Sequence, residues 1–281
     1  MHIALVTAKH VDPARTDDAL LCAALAEQGD SFEWLPWDTD GVRWRQYDRV
    51  VLRSCWDYHR ELPRFAAWLE SLAEQGAALV NPLPVVRENL HKAYLLKLAA
   101  AGVPVPSLKV VARGSRAELM RVQAELGGEL IVKPAVSGSA WRTFRVPSGG
   151  AAHAQAEFAA LVAERDAVVQ AFVPEIQTQG EYSLMFFAGR YSHAVLKTPA
   201  AGEFRCQAEY GGGVTALDPP AAVHAAAERA LAVFGAPPYA RLDMVVSRGL
   251  PLVMEVELIE PVLFFATAPG SAARMVEALA A

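Results

Sequence analysis

Short apolar runs alternate with amphipathic segments over the first part of the chain. The runs at residues 3–7, 32–35 and 47–53 have the length and apolar content of buried strands. The segments at residues 19–28 and 62–75 repeat apolar residues at helical spacing, and a glycine follows each of them. This alternation of strands and helices predicts a small parallel sheet that is covered by helices.

The pattern changes at the sequence NPLPVV, residues 81–86, where two prolines interrupt regular structure. We place a domain boundary there, so that residues 1–84 form an N-terminal α/β domain and residues 85–281 form a second domain. The second part mixes helical and strand patterns, which predicts an α+β architecture. Its helices are predicted at residues 92–101, 115–126, 154–164 and 221–234, and its strands at residues 108–111, 129–133, 143–146, 167–172, 182–187, 191–196, 239–247 and 251–259.

Composition excludes several classes of protein. Hydrophobic residues make up 53% of the chain and charged residues 20%, which is typical of neither disordered nor fibrous proteins. The formal net charge of −5 leaves no basic excess for a phosphate backbone, so we expect no nucleic-acid partner. Cys22, Cys55 and Cys206 show no C-x-x-C spacing, which argues against a disulfide scaffold and suits a reducing cytoplasm. The apolar stretch at residues 252–268 carries three glutamates and a proline, so we expect no membrane span.

Carboxylates on the last predicted hairpin give the strongest chemical signal. Alternation along residues 251–259 places Glu255 and Glu257 on one face and Met254 with the apolar residues on the other. With a loop at residues 248–250, the antiparallel register places Asp243 opposite Glu255 and Arg241 opposite Glu257. Acids that face each other destabilise a sheet, and a divalent cation between their oxygens, Mg²⁺ or Mn²⁺, would reverse that effect. The alternative is the solvated face of an edge hairpin, and the pattern alone does not decide between the two.

Lysines and a loop of small residues indicate a phosphate site. Lys133 ends an apolar strand, and the sequence SGSA at residues 137–140 follows it. Small side chains let backbone N–H groups approach phosphate oxygens closely. Lys92 begins a predicted helix with Asn89 as its N-cap, a place where acids are the usual residues. The alternatives are a plain turn between strands and a solvated surface lysine.

Side chains just before the hairpin predicted at residues 182–196 have the functional groups to bind a nucleoside. Gln170 ends a predicted strand, and its amide both donates and accepts, which suits an adenine edge. The backbone of Val173 offers the same groups, and Glu181 can accept from two ribose hydroxyls. Each also has a structural alternative, such as a strand cap for Gln170 or an ion pair with a lysine for Glu181.

Arg205 is a candidate for binding an anion. Its guanidinium can clamp an anion with two donors, and Lys197 lies on the other side of the same predicted loop. The alternative is an ion pair with Glu203 or Glu209.

The order of these features resembles the ATP-grasp superfamily, in particular its glutathione-synthetase-like branch and the D-cycloserine synthetase-like proteins. The resemblance rests on the stretches VVLRSCWDYH, NPLPVVRENLHKAYLLKLAAAGVPVP, IVKPAVSGSAWRT, VVQAFVPEIQTQGEYSLMFFAGRYSHAVLKTPAAGEFRCQAEYGGG and YARLDMVV…LVMEVELIEP. It covers nearly the whole chain and is most specific over residues 81–261. It implies an ATP cleft between two α+β subdomains, of which one, at about residues 105–172, is a mobile lid.

The resemblance also implies roles for the matching positions. The nucleotide would be held by Lys92, Lys133, Ser137, Gly138, Ser139, Gln170, Val173, Glu181 and Lys197. Two Mg²⁺ ions, for which Mn²⁺ would substitute, would be held by Asp243, Glu255 and Glu257. Catalysis would depend on Arg205 and Lys133, and the substrate would be bound by Arg53, Ser54, Trp56, Tyr58, Arg205 and Gly212, some of which follow first-domain strands. Many relatives carry Asn where Glu257 stands and some place a cation where Ser183 stands, which leaves the substrate open.

These expectations add up to an ATP-dependent ligase. It would phosphorylate a carboxylate of a small amino-acid-like substrate, and an amine in the same or a second molecule would attack the acyl phosphate. Members of the family are often dimers, so the resemblance allows a homodimer. A non-catalytic ATP-binding protein would not need three carboxylates together with Arg205. A Rossmann-type oxidoreductase would need a G-x-G-x-x-G sequence after the first strand, and none is present.

Overall fold

The computed structural model describes residues 1–206 and 210–281. The helices are α1 (Asp18–Glu27), α2 (Leu62–Glu74), α3 (Leu83–Leu90), α4 (Tyr94–Ala100), α5 (Leu119–Leu126), α6 (Ala151–Glu164), α7 (Glu175–Gln179), α8 (Ala221–Ala232) and α9 (Ser271–Ala280). The strands are β1 (His2–Thr7), β2 (Ser31–Pro36), β3 (Arg49–Ser54), β4 (Leu79–Val80), β5 (Leu108–Val111), β6 (Leu130–Pro134), β7 (Phe144–Val146), β8 (Ala167–Ala171), β9 (Glu181–Phe187), β10 (Arg190–Thr198), β11 (Gly213–Ala216), β12 (Tyr239–Ser247) and β13 (Leu250–Glu257). Among the described helices, none has both the length and the apolar character needed to cross a membrane.

A parallel sheet in the order β2–β1–β3–β4 occupies the N-terminal part of the chain. Ile3 and Leu5 of β1 join one hydrophobic cluster, while Ala4 and Val6 join another. Because β1 is buried on both faces, its sequence is a continuous apolar run rather than an alternating one. The predicted parallel sheet with covering helices is therefore confirmed.

The C-terminal helix α9 completes the cover of this sheet. Met275, Val276 and Leu279 of α9 pack in the same cluster as Leu21 of α1 and Ile3 of β1. The sequence pattern did not lead us to expect a helix at this place. The core of the N-terminal sheet thus includes residues far beyond the boundary predicted after residue 84, and that boundary stays a prediction.

Two antiparallel sheets make up the rest of the fold. The larger has the order β11–β10–β9–β12–β13, and α4 and α8 supply side chains to the hydrophobic cluster that the sheet shares with them. The smaller has the order β5–β8–β6–β7, and α5 and α6 pack with it around Phe158. The smaller sheet and its helices lie within the residues predicted as a lid. Parallel and antiparallel sheets in one chain confirm the mixed α/β and α+β fold class.

The last hairpin has the predicted register at its charged residues, although its loop differs from the prediction. Asp243 pairs with Glu255 and Arg241 pairs with Glu257, as expected. The connection is one residue shorter than predicted, because Ser247 already pairs with Leu250. A β-bulge between Asp243 and Met244 leaves Met254 as an extra residue without a partner. This extra residue brings Asp243 back into its predicted place opposite Glu255.

The bulge also corrects the predicted alternation of side chains along β13. Met254 was expected on the apolar face, opposite the glutamates. Because the bulge places two successive residues against one partner, Met254 and Glu255 lie on the same side, where both line a cavity. Val253 and Val256 remain in the core below the sheet.

The predicted break at residues 81–86 is in part a helix. Helix α3 begins immediately after Pro82 and includes a second proline in its first turn. Backbone N–H groups of a first turn have no acceptor within the helix, so a proline there removes no helical hydrogen bond. Asn89 was expected to cap a helix that contains Lys92, but Asn89 lies inside α3. Its side chain donates to the carbonyl of Val256 and accepts from the backbone N–H of Leu258. Asn89 therefore fastens α3 to the end of β13.

Gly180 allows a close approach of two backbones at the start of β9. Its φ of 80° and ψ of −173° belong to a region that essentially only glycine adopts. A Cβ built on Gly180 would lie 2.7 Å from the carbonyl oxygen of Lys197 on β10. We expect Gly180→Ala to lower the free energy of unfolding by about 2–3 kcal/mol, because backbone strain and the clash add together.

Gly235 provides the matched control for this substitution. It has a similar φ of 82°, but nothing lies within 4 Å of the position that a Cβ would take there. Gly235→Ala should therefore cost only about 1 kcal/mol, from the left-handed backbone alone. Urea unfolding measures both variants, and equal losses would contradict the proposed close approach.

Candidate functional site

A cavity of about 360 Å³ lies between the three sheets. It is lined by β6 and β8 of the smaller sheet, by β12 and β13 of the larger sheet, and by Trp56 and Tyr58, which follow β3 of the parallel sheet. Fifteen of the predicted site residues line it: Trp56, Tyr58, Lys92, Lys133, Ser137, Gly138, Ser139, Gln170, Val173, Glu181, Lys197, Arg205, Asp243, Glu255 and Glu257. The remaining three, Arg53, Ser54 and Gly212, do not belong to the described lining.

A network of buried charges surrounds Asp243. Both oxygens of its carboxylate accept from Arg241, each at 3.0 Å. Lys197 Nζ lies 2.9 Å from Oδ2, and the Ser183 hydroxyl donates to Oδ1 at 2.5 Å. Burial raises the pKa of Asp243, but the charges of Arg241 and Lys197 outweigh it and hold this pKa well below its usual range. Asp243 is therefore ionised at any physiological pH.

Lys92 connects the hairpin to the loop after β6. Its Nζ forms an ion pair with Glu255 at 2.8 Å and donates to the carbonyl of Ser137 at 2.9 Å. Its backbone N–H donates to the carbonyl of Ala135 at 2.8 Å. Burial works against ionisation of Glu255, but Lys92 and Lys133 more than offset it and lower the pKa of Glu255. Lys92 thus fixes both the acid and the small-residue loop.

Arg241 lies between two of the predicted metal ligands. Its Nη2 is ion-paired with Glu257 as well as with Asp243, and its Nη1 donates to the carbonyl of Val262 at 3.0 Å. Glu257 is nonetheless short of compensation, because burial and the charges of Asp243 and Glu255 raise its pKa to about 7. Sequence reasoning placed Arg241 opposite Glu257 but gave it no role. Its position two residues before Asp243, on the same face of β12, was the signal.

Lys133 is a cation that lines the cavity without a partner. Among the described residues, no acceptor lies within hydrogen-bond or ion-pair distance of its Nζ. Burial is the largest effect on this group and lowers its pKa; the charge of Glu255 opposes this effect without cancelling it, and the charge of Lys92 adds to it. An anionic group in the cavity would reverse this effect, because it would stabilise the charged lysine.

Gln170 presents an unsatisfied donor to the cavity. Its side chain is only 2% exposed, and its Nε2 has no hydrogen-bond partner among the residues that the structure describes. A buried donor without a partner is unfavourable by about 1–3 kcal/mol, so such groups are rare unless a ligand satisfies them. The neighbouring Phe172 and Val173 line the same part of the cavity. This arrangement fits a planar base with ring-nitrogen acceptors.

Glu181 and Arg205 have protein partners as well as positions in the cavity wall. Glu181 lies 2.7 Å from Lys197 Nζ, and burial raises the pKa of Glu181. Arg205 pairs with Glu203 at 2.5 Å, and its guanidinium lies 3.7 Å from the ring centre of Tyr210. The Arg205–Glu203 pair lowers the pKa of Glu203 to about 2. Glu209, the other acid considered for Arg205, lies outside the described residues.

The predicted metal ligands are suitable in chemistry and engaged in ion pairs. Asp243, Glu255 and Glu257 offer the carboxylate oxygens that Mg²⁺ prefers. Within residues 1–206 and 210–281, however, no three His, Cys, Asp or Glu side chains converge closely enough to hold a metal ion. Mg²⁺ in nucleotide sites is usually bound by one or two carboxylates together with phosphate oxygens, so a complete protein cage is not required. The donor set therefore fits a metal ion that enters with a triphosphate.

Charges along the cavity wall nearly cancel. The described lining contains five cations, Lys92, Lys133, Lys197, Arg205 and Arg241, and five acids, Glu181, Asp243, Glu255, Glu257 and Glu260. Because the pKa values of Glu257 and Glu260 are raised to about 7 and about 8, these acids are partly neutral near pH 7 and the wall keeps a small positive excess. Divalent cations that arrive with a triphosphate would favour the ionised form of the acids.

Arg53 is the clearest difference from the sequence-based expectation. It was predicted to bind a substrate carboxylate, but its side chain is 1% exposed and donates to Asp18 at 2.9 and 2.7 Å and to the carbonyl of Pro261 at 3.0 Å. Ser54 is also buried, where its hydroxyl lies 2.8 Å from that of Thr7. Both residues end β3 inside the first sheet, so they hold the sheet together rather than face the cavity.

Two side chains in this region were missed by sequence reasoning. Glu260 lines the cavity three residues beyond Glu257, and burial followed by the charge of Glu257 raises its pKa to about 8. His59 is 3% exposed, and neither ring nitrogen has a partner among the described residues. Burial lowers the pKa of His59 to about 4, so its ring, which lies 5.2 Å from that of Trp141, is neutral. The third glutamate of EVELIE was a visible signal for Glu260.

Comparisons with known proteins agree with this geometry. Residues 3–81 match the family model described as the D-cycloserine synthetase DcsG N-terminal domain. The cycloserine biosynthesis protein DcsG of Streptomyces lavendulae is 33% identical over 293 residues, which cover 99% of this chain and 97% of that protein. The D-alanine–D-alanine ligase of Laribacter hongkongensis (strain HLHK9) is 30% identical over 61% of this chain and 53% of its own length.

Solved structures show the same fold. The crystal structure of D-cycloserine synthetase DcsG superposes with a TM-score of 0.91 and 31% identity, covering 100% of this chain and 99% of that one. A RimK domain ATP-grasp protein from Sphaerobacter thermophilus DSM 20745 superposes with a TM-score of 0.73 over the full length of both chains, at 19% identity. The second likeness concerns the fold alone.

The buried pair of Arg53 and Asp18 leads to a prediction about stability. We expect Arg53→Met to lower the free energy of unfolding by about 3–5 kcal/mol, because Asp18 would remain buried without a compensating charge. The control is Arg87→Met, which breaks an exposed pair with Glu70 and should cost less than about 1 kcal/mol. Urea unfolding measures both variants. A stable Arg53→Met protein with a raised KM for its substrate would restore the original assignment.

Proposed function

The chain belongs to the D-cycloserine synthetase family of ATP-grasp ligases, and from this membership we propose how its cavity activates a carboxylate. The protein is an ATP-dependent ligase that joins a carboxylate to an amine and acts on small amino-acid substrates. The observation that carries the proposal is the meeting of the unpaired Lys133, the unsatisfied Gln170 and the acids of the last hairpin in one cavity.

The nucleotide lies between the smaller and the larger antiparallel sheet. Gln170 donates its free N–H to the adenine ring, and the backbone of Val173 binds the same edge. Lys133 lies against the phosphates, where an anion compensates its buried charge. The loop with Ser137, Gly138 and Ser139 covers the phosphates with backbone N–H groups, and Lys92 holds that loop in place.

The reaction has two steps. A substrate carboxylate oxygen attacks the γ-phosphorus, the bond to the β-phosphate oxygen breaks, and an acyl phosphate and ADP form. The nitrogen of the acceptor amine then attacks the acyl carbon and loses a proton, and phosphate leaves with the electrons of the broken C–O bond. Arg241 and Arg205 line the cavity beside these atoms and stabilise the negative charge that develops on them.

Mg²⁺ would be held by Asp243, Glu255 and Glu257, and it would neutralise the phosphate oxygens during transfer. The carboxylates are held in the cavity wall by Arg241, Lys197 and Lys92, and these cations can turn toward the phosphates when metal ions replace them. The cations therefore have a second role, since they keep Asp243 and Glu255 ionised before the metal arrives.

The substrate lies between the hairpin and the loop after β3. Trp56 is half-buried and Tyr58 is almost fully buried, and both line the cavity on the side of the first sheet. The acceptor amine belongs either to the same molecule, which closes a ring, or to a second one. A volume of about 360 Å³ favours small substrates. The homodimer remains a prediction that the mass of the protein in solution will decide.

Product analysis tests the proposed function. The protein is incubated with ATP, Mg²⁺ and a pooled amino-acid library, and mass spectrometry identifies the product that forms together with ADP. We expect EDTA to abolish turnover and Mg²⁺ or Mn²⁺ to restore it. We also expect Glu255→Gln to reduce turnover roughly 100-fold, because one metal ligand becomes neutral.

The exposed Glu277 of α9 supplies the control for this experiment. Glu277→Gln should keep full turnover. Binding of ATP without any product across the library would favour a non-catalytic nucleotide-binding protein instead.

Gln170 allows a separate test of the adenine site. Gln170→Met removes a buried unsatisfied donor, so the free energy of unfolding without ligand should stay the same or rise. The dissociation constant for ATP should increase roughly tenfold, which corresponds to about 1.4 kcal/mol. Calorimetry measures the affinity, with the exposed Gln28→Met as the control. Lower stability combined with unchanged ATP affinity would mean that Gln170 is a structural residue.

A further inference from the structure

Two ionisable side chains in the cavity wall form no ion pair. Among the described lining residues, Glu181 and Asp243 pair with Lys197, Glu255 pairs with Lys92, and Glu257 pairs with Arg241. Arg205 pairs with Glu203, which lies outside the lining. Within the part of the chain that the structure describes, this leaves one cation, Lys133, and one acid, Glu260.

Lys133 and Glu260 belong to different sides of the cavity. Lys133 lies on β6 in the smaller sheet, next to the part of the wall that contains Gln170. Glu260 follows β13, and its backbone carbonyl accepts from the indole Nε1 of Trp56 at 3.1 Å. Lys133 is complemented by the triphosphate in the proposed function. No part of ATP carries a positive charge that could complement Glu260.

Tyr58 adds a second polar group beside Glu260. It is 5% exposed, it lines the cavity, and its hydroxyl has no hydrogen-bond partner among the described residues. Glu260 is close enough for its charge to be the largest effect, after burial, that raises the pKa of Tyr58. The hydroxyl therefore remains protonated, and its oxygen is available to accept a hydrogen bond. Trp56 offers an aromatic ring in the same part of the wall.

We propose that Glu260, Tyr58 and Trp56 form the subsite that binds the ammonium group of the amino-acid substrate. A carboxylate, a hydroxyl oxygen and an aromatic ring are the groups that recognise an ammonium ion. This inference rests on the proposed function and deepens it, because it fixes which end of the substrate faces the first sheet. The substrate carboxylate would then point away from Glu260, and Arg241 is the cation that contacts the neighbouring segment, since its Nη1 donates to the carbonyl of Val262 two residues beyond Glu260.

The subsite also predicts what the enzyme rejects. Burial and the charge of Glu257 raise the pKa of Glu260 to about 8, so an analogue without an ammonium group would leave this carboxyl in its neutral form and form no ion pair with it. Sites that are built for a polar group discriminate strongly against analogues that lack it. The enzyme should therefore discriminate between an amino acid and the des-amino acid with the same carbon skeleton.

Hydroxylamine trapping tests this without knowledge of the natural acceptor. Hydroxylamine attacks the acyl phosphate, its nitrogen forms the C–N bond and loses a proton, and phosphate leaves, so that every activated carboxylate yields a hydroxamate. The probes are D-alanine, L-alanine, D-serine and L-serine, compared with propanoate and 3-hydroxypropanoate. For the wild type we expect kcat/KM to be roughly 100-fold or more higher for the best amino acid than for its des-amino counterpart.

Glu260→Gln keeps the shape of the side chain and removes its charge. We expect the ratio of kcat/KM for the amino acid to kcat/KM for the des-amino acid to fall at least roughly tenfold, through a higher KM for the amino acid. The KM for ATP should stay within about twofold. Glu27→Gln, on the exposed face of α1, is the control and should keep the preference. Thermal unfolding shows that the variant is folded, since removal of one acid near Glu257 should not destabilise it.

Each outcome separates this inference from the function on which it rests. Hydroxamate formation with an unchanged preference in Glu260→Gln would overturn the ammonium subsite and leave the ligase function intact. An equal loss of kcat for the amino acid and the des-amino acid would indicate proton transfer by Glu260 and would also overturn the subsite. No hydroxamate from any probe with the wild type would overturn both.

Discussion

The structure depends on the mutual compensation of buried charges at the end of the last hairpin. Asp243 is held between Arg241 and Lys197, and without those cations burial would favour its neutral form. Removing one member of such a network leaves an uncompensated buried charge. The stability lost in this way is larger than the stability that the intact network contributes. Asp243 is therefore ionised in the cavity wall only because β10 and β12 supply Lys197 and Arg241 at fixed positions, and Lys92 has the same effect on Glu255.

The same compensation determines what the cavity can bind. The described wall contains equal numbers of acids and cations, so it suits ligands that carry charges of both signs. A triphosphate with divalent cations and a zwitterionic amino acid both meet this condition. The unpaired Lys133 and Glu260 then orient them, because each attracts one sign of charge to its own side. Lys133 and Glu260 thus give the two sides of the wall opposite preferences for charge.

The three sheets are connected where they meet the cavity. Lys92 joins the hairpin to the loop after β6, and Asn89 ties α3 to the end of β13. Trp56 joins the first sheet to the segment after β13, and Arg53 reaches the same segment at Pro261. The segment that follows β13 is therefore held from the first sheet and from α3.

Local patterns in the sequence were enough to predict the alternation of the first sheet, the mixed fold class and the order of charged residues on which the family resemblance rests. These follow from local periodicity and from the chemistry of single side chains. Three features follow only from packing: Arg53 of β3 pairs with Asp18 of α1, a bulge moves Met254 to the face of the glutamates, and Glu260 forms no ion pair among the described residues. A charged side chain pairs with whatever packs beside it in space. The local sequence pattern does not show which distant residues become its neighbours.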